Sequence, residues 1–174
     1  MNPPFTVTQF LNVFEDYNNA VFPAQIIFYL IAAAAVVFIF LKKYDVLTGC
    51  LISFFWLWMG IVYHIAFFTS INKAAYLFGI FFIIQSLLTL YFTLRKKLSF
   101  AFKPDLYGLT GIVLIVYALI IYPVIGILAG HGYPQSPLLG LPCPTTIFTF
   151  GLFLISDKRF PVTLLIIPFL WSII

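Results

Sequence analysis

Long apolar runs separated by short polar stretches make up the chain from residue 22 onward. Six hydrophobic segments can be distinguished, and we predict that each is helical: 22–41, 46–68, 74–94, 107–128, 145–155 and 160–174. A helix needs about 20 apolar residues to cross about 30 Å of hydrocarbon. The fifth and sixth segments are short for complete spans, and the sixth ends with the sequence, which leaves open that it is truncated. The pattern predicts an all-α, polytopic transmembrane helical bundle.

Composition indicates the same class of protein. Hydrophobic residues make up 63% of the 174 residues and charged residues 8%, and the mean hydropathy is +1.12. A soluble domain of this size could not hide that much apolar surface, because its exterior would remain apolar as well. We therefore expect an integral membrane protein whose main partner is the lipid bilayer.

The basic residues indicate an orientation for this bundle. Eight of the nine follow the first, third and fifth segments: Lys42, Lys43, Arg95, Lys96, Lys97, Lys103, Lys158 and Arg159. By the positive-inside rule these loops are cytoplasmic, which places the amino terminus outside together with Lys73. Because the cations are spread over three short loops beside predicted membrane ends, the net charge of +4 is a topology signal, and we expect no nucleic-acid partner.

Residues 1–20 are predicted to form an element of their own, ahead of a bundle over residues 21–174. Thr6 and Gln9 have the spacing of a capping box, and Phe5 and Phe10 have that of a hydrophobic staple. Phe10, Leu11, Phe14 and Tyr17 then recur on one face of the helix that follows. We predict an amphipathic helix on the outer membrane surface. It serves either as an anchor or as a lid over an outer cavity.

The stretch 130–146, GHGYPQSPLLGLPCPTT, is rich in proline and glycine and carries no formal charge. Pro144 suits a first helical position, so we predict that Cys143 is the N-cap of the fifth helix, where the helix dipole would favour a thiolate. The helix would then begin inside the bilayer after a re-entrant loop, with Thr145 and Thr146 at an N-terminus suited to a polar or anionic ligand. The alternative is an ordinary outer loop before a short, tilted helix.

One face of the second segment combines small, aromatic and ionisable residues at helical spacing: Gly49, Ser53, Trp56, Gly60, His64 and Phe67. Small residues at this spacing usually allow close helix packing. His64 is expected to face the bundle or water, because an ionisable group is costly elsewhere in a membrane. Gln85, at the middle of the third segment, is expected either to hydrogen-bond a neighbouring helix or to contact a ligand.

These observations define a candidate ligand site outward of the membrane midplane. Its members are His64, Asn72, Lys73, His131, Cys143, Thr145 and Thr146, with Trp56 and Gln85 as further candidate contacts. The two imidazoles of His64 and His131 with the thiol of Cys143 would suit Zn(II) or Cu(I), although no two of them have metal-motif spacing. Any cofactor beyond such an ion stays unknown.

Catalysis is the second chemistry considered for this site. Cys143 could act as a nucleophile with a histidine base, but no acidic residue within a predicted span could orient that base. We assign no catalytic residue and lean against an enzyme. A disulfide between Cys50 and Cys143 is excluded, because they are predicted near opposite membrane faces, far beyond the Cα separation that a disulfide allows.

An internal similarity favours a function in passage across the membrane. Residues 51–56 (LISFFW) resemble 166–171 (IIPFLW), and 23–26 (PAQI) resemble 144–147 (PTTI). Both pairs relate segments of the same predicted orientation. A parallel repeat of three helices with one linker helix would produce this pattern, provided that a seventh span follows residue 174.

Residues 56–79 and 131–152 resemble the signature segments of a bacterial multi-pass membrane family catalogued as a domain of unknown function. The resemblance implies a bacterial inner-membrane protein and no particular reaction. Taken together, we predict an outward-facing polar pocket for transport, channel or binding of a small solute or ion. A thiol-dependent intramembrane enzyme and a structural or assembly subunit are the alternatives, and the chain leaves a homo-oligomer open.

Overall fold

A computed structural model of the chain describes residues 5–156 and 160–173, so Lys158, Arg159 and Ile174 lie outside the described residues. The helices are α1 (Val7–Val21), α2 (Ala24–Phe40), α3 (Asp45–Trp58), α4 (Ala75–Leu94), α5 (Leu106–Val116), α6 (Tyr122–Leu128), α7 (Pro142–Leu154) and α8 (Ile166–Ser172). A π-helix, Met59–Phe67, extends α3, and a second, Tyr117–Ile121, joins α5 to α6. Short 3-10 turns cover Phe68–Ser70 and Val162–Leu165. No strand occurs within these two ranges, which confirms the all-α prediction.

The number of membrane-spanning helices is smaller than predicted. Three are long and apolar enough to cross a membrane: Asp45–Ser70, Ala75–Leu94 and Leu106–Leu128. The α1–α2 pair adds a fourth only if it counts as one span bent by 86°. The prediction of six was wrong, because the first segment forms a 17-residue helix after a sharp bend and the last two form only short helices. The predicted shortness of these last two segments is confirmed.

The start of α1 follows the sequence prediction. The Thr6 hydroxyl accepts from the Gln9 amide at 3.2 Å, and the Gln9 side chain accepts from the Thr6 amide at 2.8 Å. The rings of Phe5 and Phe10 stack with centroids 5.8 Å apart. Both the capping box and the staple are therefore present, and they fix the start of a helix that lies across one end of the bundle.

Small residues allow two helix pairs to approach closely. A Cβ atom on Gly60 would lie 2.9 Å from the Gly79 carbonyl oxygen, and one on Gly79 would lie 2.9 Å from that of Gly60. Gly111 in α5 and Gly151 in α7 make a similar reciprocal contact at 2.7 and 2.8 Å. The predicted stripe on α3 and its π extension therefore packs against α4. Its five residues from Gly49 to His64 are all buried.

The two ends of the bundle differ in charge. At one end, the Phe100 amide donates to the Asp45 carboxylate at 2.9 Å, and the Ser156 hydroxyl donates to the Ser99 carbonyl at 3.2 Å. The chain segments after α2, α4 and α7 therefore meet at this end. Six described cations lie in the first two of these segments, and we call this the basic end: Lys42, Lys43, Arg95, Lys96, Lys97 and Lys103.

The opposite end consists of α1, the turn at 71–74 and the loop at 129–141, and we call it the loop end. Val13, Phe14 and Tyr17 of α1 are buried there against Tyr63, Phe68, Ala75 and Leu141. The amphipathic face of α1 therefore packs on protein. Lys73 is the exposed cation at this end among the described residues.

Candidate functional site

The 129–141 loop is held against α1 by a buried amide side chain. Asn18, which has no exposed surface, donates through Nδ2 to the carbonyl oxygens of Pro134 at 2.6 Å and Ser136 at 2.9 Å. Gln25 in α2 donates to the Asn18 carbonyl at 2.7 Å. The Glu15 carboxylate accepts from the side-chain Nε2 of Gln135 at 2.9 Å. Because the loop has little regular structure, these bonds replace the backbone pairing that it lacks.

Tyr17 connects the same loop to the π-extended helix. Its hydroxyl donates to the Gly140 carbonyl at 3.1 Å and accepts from the Trp58 indole N–H at 2.7 Å. Gly140 has a φ of +99°, and a Cβ atom there would lie 2.6 Å from the Phe28 ring. The position therefore requires glycine for both backbone conformation and space.

Buried hydroxyl groups continue this network into the bundle. The Gly140 amide donates to the Thr145 hydroxyl at 2.9 Å. Thr149 donates to the Thr145 carbonyl at 2.8 Å and accepts from the Trp56 indole N–H at 3.1 Å. Thr145 and Trp56 were both predicted as ligand contacts. In the structure, Thr145 bonds the loop to α7 and Trp56 bonds α3 to α7. Thr146 is buried as well, and its hydroxyl has no hydrogen-bond partner.

The start of α7 differs from the prediction in its first residue. The helix begins at Pro142, with the extended residue Leu141 as N-cap, so Cys143 lies in the first turn and is not the N-cap. Pro142 suits this place because its fixed φ is helical and it has no N–H that would need a partner. The thiol of Cys143 is half-buried and interacts with the Tyr122 hydroxyl, and no cation that would favour a thiolate is among the groups acting on it.

Two other predicted site residues, Asn72 and Gln85, have local or structural hydrogen-bond partners. The Asn72 side chain accepts from the Ala74 amide at 3.0 Å in the turn before α4. Gln85 donates to the Leu164 carbonyl at 2.9 Å, which is the helix-linking role considered for it. Lys73 is exposed, and His131 is half-buried just after α6. These four residues lie in the turn before α4, in the middle of α4 and just after α6.

The structure also does not assemble the predicted metal ligands. No group of three His, Cys, Asp or Glu side chains suited to a metal ion occurs within 5–156 and 160–173, a region that includes His64, His131 and Cys143. The structure thus gives no geometric support to the Zn(II) or Cu(I) site.

His64 is the predicted site residue with the least satisfied surroundings. It lies in the π-helix, has no exposed surface, and neither ring nitrogen has a hydrogen-bond partner. Five aromatic rings surround it, with centroids at these distances: Phe82 4.5 Å, Trp171 5.0 Å, Tyr63 5.1 Å, Phe78 5.9 Å and Phe68 6.0 Å. We call these the aromatic box. The prediction that His64 faces the bundle agrees with this position.

Two cavities lie away from His64. One, of about 570 Å³, is bounded by α5, α7 and the chain after residue 160, near the basic end. The other, of about 480 Å³, lies beside Gln25, Tyr29 and Tyr133 at the loop end. Apolar side chains form most of the wall in both, so neither has the character of the predicted polar pocket.

Sequence reasoning missed the residues that hold the loop end together. Gln25 carries a carboxamide in an otherwise apolar helix, and that contrast was an available signal. Asn18 follows Glu15 and Asp16 in a polar stretch of α1, so the sequence offered no such contrast there. Tyr17 was placed on the apolar face, and its hydroxyl received no role. The partners of all three lie more than 100 residues away or in another helix, so spacing along the chain could not identify them.

Comparison with known proteins gives a family but no activity. No curated protein and no solved structure matches this chain. A family of unknown function matches nearly its whole length, including both segments that carried the resemblance noted from the sequence. With residues 7–174 matched, the chain belongs to the family of unknown function DUF6064.

Proposed function

We propose that this chain is a multi-pass membrane protein that binds, and allows passage of, a small ion or solute at His64. The membrane setting is supported by the three long apolar helices and by the large apolar side chains exposed along them. The clustering of six cations at the basic end supports an orientation with that end in the cytoplasm and α1 outside. An inner-membrane location agrees with this charge pattern.

The lack of a partner at either ring nitrogen of His64 is the observation on which the proposal rests. Leaving one buried polar group without a hydrogen bond costs about 1–3 kcal/mol, and native proteins seldom do so without a functional reason. The residue lies in a π-helix, a feature that recurs at functional sites because it interrupts the regular helix ladder. A bound ligand would supply the missing partner.

The chemistry of the aromatic box favours a cation or a proton. The faces of aromatic rings carry negative electrostatic potential and attract cations within about 6 Å of the ring centre. Imidazole changes its charge near neutral pH and acts in many proteins as a proton carrier. Trp171 forms one wall and belongs to the short helix α8. The bond from Gln85 to the Leu164 carbonyl ties the 3-10 turn before α8 to α4. Movement of α8 away from α4 would open the box.

The structural subunit is the second candidate function. At the loop end, Tyr17, Asn18 and Thr145 all bond other parts of the same chain, as expected for a rigid element that holds helices together. The thiol-dependent enzyme has no comparable support, because Cys143 faces the Tyr122 hydroxyl and, among the described residues, no base acts on it.

Ion flux in liposomes tests the proposal. Purified protein is reconstituted into liposomes containing a pH-sensitive dye, and flux is measured under an imposed membrane potential. We expect wild-type flux above that of empty liposomes, its loss in His64→Phe, and its retention in His131→Phe, which removes the other imidazole. Because His64→Phe removes a buried unpartnered group, its thermal stability should be unchanged or higher. Wild-type proton flux equal to that of empty liposomes, or unaltered flux in His64→Phe, would refute passage of a proton at His64 and favour the structural candidate.

A further inference from the structure

The larger cavity is an apolar groove with charged residues at one end. It has a volume of about 570 Å³ and is partly open to the surroundings of the bundle. Leu114 of α5 lies on one side, Ile147 and Phe150 of α7 on another, and Phe169 of α8 on a third. Lys103 and Asp105 lie at the end near the start of α5. Its volume lies within the roughly 300–1,000 Å³ typical of pockets for small ligands.

The apolar walls favour a hydrocarbon chain over a polar solute. Eleven of its fifteen lining residues are hydrophobic, counting tyrosine, and the polar ones come from the chain near the basic end. A polar solute would lose its hydration here without finding hydrogen-bond partners, which is unfavourable. An acyl chain loses no hydrogen bonds on entering such a groove and gains close packing.

The charged end favours an anionic headgroup. Lys103 is exposed at this end and belongs to the same cluster as the other five described cations of the basic end. Asp105 is the carboxylate among the described residues of the groove, and it accepts from the Gly108 amide at 2.8 Å as the N-cap of α5. Its negative charge therefore faces the positive end of a helix dipole. Basic pockets between membrane helices on the cytoplasmic side are typical sites for anionic lipid headgroups.

We propose that this groove binds one anionic phospholipid from the bilayer, with an acyl chain between α5 and α7 and the phosphate beside Lys103. The inference rests on the membrane setting of the proposed function and is independent of the His64 site. The polar headgroup lies at the basic end, so the bound lipid belongs to the same leaflet as the cationic loops.

Lipid retention measured by native mass spectrometry tests this site. Detergent-purified protein is incubated with equal amounts of phosphatidylglycerol and phosphatidylcholine that carry identical acyl chains. We expect one phosphatidylglycerol retained per chain in preference to phosphatidylcholine. Lys103→Ala should lower that preference about fivefold, as expected for one basic residue near an anionic lipid surface. Lys43→Ala removes a cation from the same end, outside the groove, and should change it less.

Filling the groove tests the position of the acyl chain. Ile147→Trp and Leu114→Trp each place an indole in the groove, from α7 and α5, and each should reduce lipid retention at least tenfold. Ile120→Trp, at a position 60% exposed and outside the groove, is the matched control. The thermal stability of each variant is measured as well. Reduced lipid retention counts as blockage of the groove only in a variant whose thermal stability equals that of the wild type.

Several results would overturn the inference. The first is equal retention of the two lipids by the wild type. The second is full lipid retention in both tryptophan variants when they are folded. The third is a wild-type dimer that Ile147→Trp converts to a monomer, because a second copy of the chain would then be the occupant. His64→Phe leaves the groove intact and should bind lipid like the wild type. If the lipid site is not found but flux that depends on His64 is observed, the groove inference is refuted and the proposed function stands.

Discussion

Replacing Asn18 with leucine should release the 129–141 loop from α1. The Asn18 side chain has no exposed surface and donates to two loop carbonyls at 2.6 and 2.9 Å. Leucine has a similar size but no donor, so both carbonyls lose this bond while the apolar surroundings are kept. Asn19, the next residue, is exposed, and Asn19→Leu makes the same chemical change outside the network.

The size of the effect follows from these contacts. Each intramolecular hydrogen bond contributes about 0.5–1.5 kcal/mol net, and a buried carbonyl left without a partner adds a penalty of about 1–3 kcal/mol. Ser136 is 2% exposed, so its carbonyl has little access to compensating water. We expect Asn18→Leu to reduce the free energy of local opening by about 2–4 kcal/mol, which corresponds to about a 30- to 1,000-fold larger open population.

Hydrogen exchange of the loop amides measures this opening directly. The Gly140 amide is a suitable reporter, because it donates to the buried Thr145 hydroxyl and exchanges only when that bond opens. Exchange there should accelerate by the stated factor in Asn18→Leu and change less than threefold in Asn19→Leu. Equal exchange in the two variants would show that the loop is held by packing alone and that the hydrogen-bond reasoning is wrong.

Two further substitutions test the packing of the bundle. Gly60→Val places a side chain 2.9 Å or less from the Gly79 backbone and should destabilise the protein by about 1–3 kcal/mol in thermal unfolding. Gly132→Val is the control, because no atom lies within 4 Å of a Cβ atom at that position, and it should leave the midpoint of thermal unfolding unchanged. Equal unfolding midpoints for the two variants would contradict close packing at Gly60. Trp56→Phe removes the bond donated to Thr149 and part of a fully buried side chain, and should lower the unfolding free energy by at least about 0.5–1.5 kcal/mol. A difference of zero in denaturant titration would show that this bond does not stabilise the fold.

Features that depend on neighbouring residues could be predicted from the sequence. The capping box of Thr6 and Gln9 joins residues three positions apart, and the stripe from Gly49 to His64 follows from the helical repeat alone. The helical class and the long apolar helices follow in the same way from composition and run length. The last two segments were predicted to be short and are short. The count of six spans was wrong because the length of an apolar run does not show how much of it becomes one helix: α2 has 17 residues, α7 has 13 and α8 has 7.

Features that join distant parts of the chain were decided by the tertiary structure. Tyr17 bonds Gly140, 123 residues away, and Trp171 of α8 forms one wall of the box around His64 in the extension of α3. The sequence identified His64 as a residue that must face the bundle, because burial of an imidazole in lipid is costly. It could not show that both ring nitrogens lack partners, since hydrogen-bond satisfaction depends on which atoms of other helices come within about 3 Å. Only the packing of α4 and α8 against the π-helix determines those distances.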